Sequence, residues 1–295
     1  MPYYIGDVIQ EQSRLIARTP EKFRDGGIDV MLSSKVAGID PAAGTVDLEG
    51  GRRLAYDYLM MATGAMAFVP SMPGLDLPGV FSLRNLEDAI TIKSWLQDKN
   101  AKRVVIIGGG FIGLEMSEAL HAAGIAATII HKDPLPANRW DPELSALMLE
   151  ELQSHGVEFV ANTAAQGIEK GSAAPLRVKT STGDFEGDLV LLAIGVRPDA
   201  TLAKTIGLRI GATGAIAVDF SQKTSIENIY AAGDCCESFH KVSRRWVHVP
   251  LGDVANKQGR TAGRNIGGRP MLFDGIVGAQ SFRLFTLECA ATGLS

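Results

Sequence analysis

The strongest pattern in the chain is a pair of short, unbroken apolar runs. Arg103-Val104-Val105-Ile106-Ile107 and Ala126-Ala127-Thr128-Ile129-Ile130 contain almost no polar interruption. Runs of this kind predict strands buried on both faces. Between them, residues 111–123 read as a helix that Gly124 ends. Asp141-Pro142-Glu143 then predicts a helix start, with that helix running to about His155. Further strands are expected at residues 157–160, 176–180 and 188–194. Strand–helix alternation with a β excursion predicts an α/β fold, a parallel sheet covered on both faces.

The flanks are more broken. Thr19-Pro20-Glu21-Lys22 reads as a capped helix start, and residues 28–32, 36–39, 45–48 and 54–61 read as short strands separated by Pro41 and Gly50-Gly51. Proline and glycine crowd residues 70–79, a loop, before a polar helix at residues 86–99. Past the apolar core, strands are expected at 216–219 and 228–232, a helix at 253–266, and a new β region at the end.

The turn that joins the first apolar strand to its helix is Gly108-Gly109-Gly110-Phe111-Ile112-Gly113, a G-x-G-x-x-G sequence. The pattern alone is weak. Between a strand and a helix it predicts a dinucleotide diphosphate site. Gly108 would allow the tight turn, Gly110 the close approach of a pyrophosphate, and Gly113 the contact between helix and strand. The helix N-terminus would offer the anion amides and a positive dipole end. An NAD site should carry an acidic residue where the second strand ends. Here that strand ends in Ile130-His131-Lys132, followed by Asp133. His131 and Lys132 would attract a 2′-phosphate, which favours NADPH. The alternative leaves both facing solvent, with Asp133 serving NADH.

Composition narrows the reading. The 295 residues are 46% hydrophobic and 21% charged, ordinary for a globular protein of one or two domains. A net charge of -4 argues against a nucleic-acid or anionic-membrane partner. No apolar run is long enough for a membrane span, and the start is not that of a signal peptide. Three cysteines make no disulfide framework, so a cytoplasmic setting is expected. Cys235-Cys236 and Cys289 read as buried small residues. The five histidines show no metal spacing, and no metal is expected. His248, Asn256 and Arg260 could approach a flavin edge or a coenzyme A-like substrate, but loop and helix surface positions account for them equally well.

Two further segments gain meaning from their order around the glycine turn: Met61-Ala62-Thr63-Gly64 before it, and Ile229-Tyr230-Ala231-Ala232-Gly233-Asp234 after it. Together they resemble the pyridine nucleotide–disulfide oxidoreductase family, flavoproteins with two dinucleotide-binding domains. Pro2-Tyr3-Tyr4-Ile5-Gly6, Leu83-Arg84-Asn85-Leu86-Glu87-Asp88, Val249-Pro250-Leu251 and Ala255-Asn256-Lys257-Gln258-Gly259-Arg260 are most similar to its coenzyme A-disulfide reductases, NADH oxidases and persulfide reductases. The resemblance covers the whole chain.

That resemblance implies FAD together with NADP or NAD as cofactors. Val36, Ala62, Thr63, Gly64, Arg84, Gly233, Asp234 and Leu251 would serve the flavin. Gly108, Gly110, Ile112, Gly113 and Gly195 would serve the nicotinamide nucleotide. Glu115, the glutamate of a G-x-G-x-x-G-x-E pattern, would stand where nicotinamide meets flavin. The implied fold is a nicotinamide-nucleotide-binding Rossmann-like domain at residues 103–215, inserted into a partial FAD-binding Rossmann-like domain. The latter would be made from residues 1–102 and 216–270, with 271–295 opening a dimerisation domain. The implied activity passes a hydride from NAD(P)H to flavin, then to a disulfide, persulfide or oxygen, in a homodimer. The family's first glycine motif and its redox cysteine would lie before Met1, so the sequence resembles a core cut at both ends. The alternatives are a catalytically silent nucleotide-binding module, or a subunit completed by another chain.

Overall fold

A computed structural model of the chain describes residues 1–294. Its centre is a five-stranded parallel sheet in the order Val80–Ser82, Leu189–Leu192, Arg103–Ile107, Ala126–Ile130, Glu158–Val160. Leu189 to Leu192 pair with Val104 to Ile107, and Arg103 to Ile107 pair with Ala126 to Ile130. Alternate side chains feed opposite faces, as the period of a strand requires. Val104, Ile106, Ile129, Leu189 and Leu191 enter one core cluster, while Val105, Ile107, Ile130, Val190 and Leu192 enter another. Ile106 is fully buried, and burial of such a side chain contributes roughly 1.5–3 kcal/mol.

The two faces are covered by different structures. Helices Leu86–Asp98, Phe111–Ala122 and Pro142–Ser154 supply Ile92, Leu114, Leu120, Met148 and Leu152 to the first cluster. The second is closed by Ile168, Leu176 and Val178. These belong to an antiparallel sheet of Ala165–Lys170, Leu176–Thr180 and Asp184–Gly187. The β excursion is therefore a cover for the parallel sheet. Asn85 and Asp88 form a reciprocal capping box that starts the Leu86–Asp98 helix, with Asp88 N donating to Asn85 Oδ1 at 2.8 Å.

The parallel sheet extends upstream of the boundary expected at residue 103. Val80–Ser82 is its edge strand, and Leu83, Ala89, Ile92 and Leu96 lie in its core. The Leu86–Asp98 helix thus packs into the layer that covers this sheet.

The sequence flanks meet each other outside this sheet. Leu59–Met61 pairs in parallel with Ile229–Ala231, and Ala65–Ala67 pairs antiparallel with Val196–Pro198. A meander of Val36–Asp40, Thr45–Leu48 and Arg53–Ala55 lies beside them. The single strand expected at residues 54–61 is broken, because the chain changes sheets there. Tyr56 N turns to Gly44 O at 2.8 Å, and Leu59 N bonds Asn228 O at 3.0 Å.

Two other expected strands do not form. Residues 28–32 have no strand partner among the described residues, and Ile28 and Leu32 are exposed. Residues 216–219 make only isolated bridges from Ile216, and Asp219 Oδ1 instead closes a turn on Ser221 and Lys223. The helix Gly252–Ile266 and a terminal hairpin of Gln280–Leu284 and Leu287–Ala291 match the expected helix and β region. Among the described residues, no helix is long and apolar enough to cross a membrane.

Candidate functional site

The glycine turn sits at the carboxyl ends of the central strands, the crevice where open α/β sheets take ligands. Gly108 has φ +113, and a Cβ there would collide with the Ala193 carbonyl. Only glycine fits. A Cβ on Gly113 would strike the Gly108 carbonyl, so helix and strand touch through their backbones. Gly108 N donates to Ile130 O at 2.9 Å and Ala193 N to Ile107 O at 2.8 Å, which ties three strand ends together.

Gly110 is different. Nothing lies within 4 Å of where its Cβ would stand. It is the N-cap of the Phe111–Ala122 helix and places no side chain over that helix end. The first-turn amides have no intrahelical acceptor. An open cradle beside free amides fits a dinucleotide diphosphate.

His131 does not play the part expected of it. The residue is buried, and Gly109 N donates to its Nδ1 at 3.1 Å. A ring nitrogen that accepts an amide proton cannot also be protonated. Burial lowers the imidazole pKa, Asp133 opposes that, and Lys132 adds to it. His131 is therefore a neutral brace for the turn, and it carries no charge toward a 2′-phosphate. Its Nε2 stands 3.6 Å from Asp133 Oδ2, longer than a hydrogen bond. Lys132 alone remains cationic and exposed, 3.5 Å from Asp133 Oδ2. Asp133 also accepts from Asn138 Nδ2 at 2.5 Å.

Ile112 is half-buried in the first turn of the helix, and Glu115 lies one turn in. Burial raises the Glu115 carboxyl pKa, with Glu118 adding to the rise and the amine of Met1 opposing it. Gly195, at φ +111, is exposed with no atom within 4 Å of a Cβ. Its carbonyl accepts from Phe68 N at 2.8 Å, which joins the nucleotide strands to the flank.

A second constellation gathers residues from three distant segments. Arg84 Nε donates to Ala65 O at 2.9 Å and its Nη2 to Asp234 Oδ2 at 2.8 Å. Gly64, at φ +71, presents its Cα to the same guanidinium, and a Cβ there would be 3.7 Å from Nη2. Thr63 Oγ1 donates to Asp199 O at 2.6 Å, and Asp199 N returns to Gly64 O at 2.9 Å. Ala62 and Thr63 are exposed beside this loop. Gly233, at φ +84, turns the chain into Asp234. The loop, with an aspartate able to accept hydrogen bonds beside exposed residues 62–63, fits the polyhydroxyl chain of a flavin nucleotide.

Val36 does not join this network. It pairs with Leu48 on the antiparallel meander. Leu251 caps the Gly252–Ile266 helix and packs against the small core of Val254, Phe273 and Ile276. Asn256 and Arg260 are exposed on that helix.

Two further residues position the Gly233–Asp234 turn. Gln258 is buried; its Oε1 accepts from Gly233 N at 2.9 Å, and its Nε2 donates to Glu237 O at 3.2 Å and Ser238 Oγ at 3.0 Å. His248 Nε2 lies 2.8 Å from Asp234 O. The available signal for Gln258 is a polar residue four positions after Val254, on the helix face that also buries Ala262. Cys235 and Cys236 are free and buried, as expected. Hydrogen bonding with Cys236 brings the Cys235 thiol down to about 6, against burial and with help from the Gly64 and Thr63 amides. The same contact and burial push Cys236 up. Among the described residues no cluster of side chains could hold a metal ion.

Both constellations lie within a segment that matches a known family. The profile of the family described as pyridine nucleotide-disulphide oxidoreductase matches residues 4–259. An NAD(P)H coenzyme A polysulfide/persulfide reductase of Pyrococcus horikoshii is 37% identical over 99% of this chain, which spans 66% of that protein's length. Among solved structures, an NAD-dependent persulfide reductase from A. fulgidus superposes with a TM-score of 0.94 at 36% identity. That match covers 100% of this chain and 56% of the other. A water-forming NADH oxidase from Lactobacillus brevis, bound to NADH, superposes with a TM-score of 0.94 at 27% identity. It covers 99% of this chain and 66% of the other. With its glycine turn, its α/β sheet and the matched residues 4–259 in agreement, the chain belongs to the pyridine nucleotide-disulphide oxidoreductase family.

Proposed function

We propose that this chain is the nucleotide-binding core of a flavin-dependent oxidoreductase using NADH or NADPH. The observation that carries this reading is the open cradle at Gly110, set against free helix amides at the carboxyl edge of a parallel sheet. When bound, the nicotinamide supplies a hydride and the flavin accepts it, and the protein supplies geometry and electrostatics. The Phe111–Ala122 helix end holds the diphosphate, and Gly195 leaves room beside it. Glu115, with its carboxyl biased toward the protonated form, lines the approach from the helix. Asp234 accepts hydrogen bonds from flavin hydroxyls while Arg84 fixes its carboxylate.

In this reading the nicotinamide domain begins near residue 79, where the edge strand starts, and closes before the Val196–Pro198 strand. The flavin domain is built from the paired flanks on either side. Residues from about 271 onward open an interface domain of a homodimer. The relatives' names point to a polysulfide, persulfide or oxygen as the final acceptor, and the location proposed is the cytoplasm. The choice between the two nicotinamide nucleotides rests on Lys132 against Asp133, since His131 is neutral.

The alternative is a nucleotide-binding module that passes no electrons. Anaerobic addition of NADH or NADPH to protein supplied with FAD separates the two. Bleaching of the flavin absorbance supports the oxidoreductase. Dinucleotide binding without bleaching supports the silent module.

A further inference from the structure

The terminal hairpin of Gln280–Leu284 and Leu287–Ala291 reaches back to the glycine turn. The ring of Phe282 lies 5.0 Å from Phe111 and 5.6 Å from Trp140, edge-on to both. Phe111 and Trp140 are themselves 6.1 Å apart in the same edge geometry. Such triads prefer this arrangement. Phe111 is the first helical residue after Gly110. Trp140 ends the loop whose Ala137 N donates to Gly109 O at 2.8 Å, and Trp140 N donates to Ala137 O at 2.9 Å. One ring of the hairpin therefore touches both walls of the dinucleotide turn.

The hairpin is held there by more than rings. Leu284 is fully buried and Cys289 nearly so, in the cluster that contains Leu114 and Leu120 of the turn's helix. Glu118 on that helix accepts from Phe285 N at 3.1 Å and Arg283 Nη2 at 3.3 Å. Glu151 on the next helix accepts from Thr286 N at 2.7 Å and Thr286 Oγ1 at 2.8 Å. Phe285 adopts φ +52, a conformation that a bulky side chain avoids. It stacks on His155 at 4.0 Å with the rings 7° apart. Strain of this kind persists only where the surroundings impose it. Here the two-residue loop that closes the hairpin at Leu284 and Leu287 demands it.

We propose that Phe282 is a positioning residue for the dinucleotide turn. The hairpin braces Phe111 and Trp140 so that the first-turn amides of the Phe111–Ala122 helix keep their aim, and docking and dinucleotide binding reinforce each other. This rests on reading the glycine turn as the dinucleotide site. Removing the ring leaves a hole into which Phe111 and Trp140 relax, and the turn moves with them. By linkage, a ligand at the turn must hold the hairpin as firmly as the hairpin holds the turn.

Calorimetric titration of the full chain with NADH and NADPH tests this. Phe282→Ala is expected to weaken both about tenfold, whereas Phe282→Leu, which keeps most of the volume, stays close to the parent. Hydrogen exchange on the parent protein gives a second readout. Saturating NADH should slow exchange at the Phe285 and Thr286 amides, which a merely structural contact would leave unchanged. A parent protein that binds neither dinucleotide overturns the site itself. Binding in the parent with equal affinity in Phe282→Ala overturns the brace and leaves the site standing. If Phe282→Ala does not fold, unchanged exchange at Phe285 and Thr286 overturns the brace.

Discussion

Arg84 and Asp234 stand 150 residues apart in sequence and join through a 2.8 Å hydrogen bond between Nη2 and Oδ2. The pair fastens the end of the parallel sheet's edge strand to the segment that follows the sheet. Arg84 also donates to Ala65 O, so one guanidinium holds two chain segments in a fork that an ammonium cannot reproduce.

Replacing Arg84 therefore has two consequences. Arg84→Met should lower stability by about 1–2 kcal/mol, since the pair is charge-assisted but the guanidinium is partly solvated. It should also weaken FAD retention, because Asp234 loses its fixed orientation. Urea denaturation and the flavin-to-protein ratio after purification check both. Arg84→Lys should recover the stability only in part. An Arg84→Met protein with unchanged midpoint and flavin content would contradict this.

His131 makes stability depend on pH. Burial lowers its folded pKa below the ordinary 6.5, so the unfolded chain binds more protons than the folded one below that value. Its contribution is fully present above 6.5 and is lost progressively as pH falls from there toward the folded pKa. Thermal melts of the parent should show a midpoint that drops as pH is lowered through this window. His131→Asn offers a neutral acceptor to Gly109 N and should flatten that part of the drop. A parallel fall in both proteins would contradict the assignment.

In the proposed reading, selectivity between the two nicotinamide nucleotides is set by Lys132, which is exposed, and Asp133, which is half-exposed. Asp133→Asn should shift the ratio of affinities toward NADPH by about tenfold, and Lys132→Glu should shift it toward NADH by a similar amount. Competitive calorimetry with both nucleotides measures the ratio directly. A ratio that neither substitution moves would place recognition elsewhere.

The legible parts of this protein were those with local signals. The apolar runs at 103–107 and 126–130, the glycine turn between a strand and a helix, and the helices that start at Pro20 and Pro142 all read from adjacent residues, and the structure places each as expected. The edge strand Val80–Ser82 did not read, because three residues carry no period and their pairing with Leu189–Leu192 is more than a hundred residues away. The strand expected at 28–32 shows the converse. Its β-forming residues lack a partner edge among the described residues, and propensity without pairing makes no strand. His131 was visible as a residue but not as a neutral acceptor, since its burial depends on Phe159 and Gly109 closing over it. Phe282 acts across the fold through ring contacts that no spacing announces.

The central claim is that a dinucleotide diphosphate lies over Gly110. Gly110 has φ -85 and ψ -177, extended backbone open to any residue, with empty space where a side chain would go. Gly110→Val therefore fills the cradle without straining the fold. Calorimetric titration of this variant with NADH and NADPH, alongside a thermal melt without ligand, should show at least about tenfold weaker binding of both and a melting midpoint close to the parent's. Undiminished affinity for both nucleotides in a folded Gly110→Val protein would contradict the account.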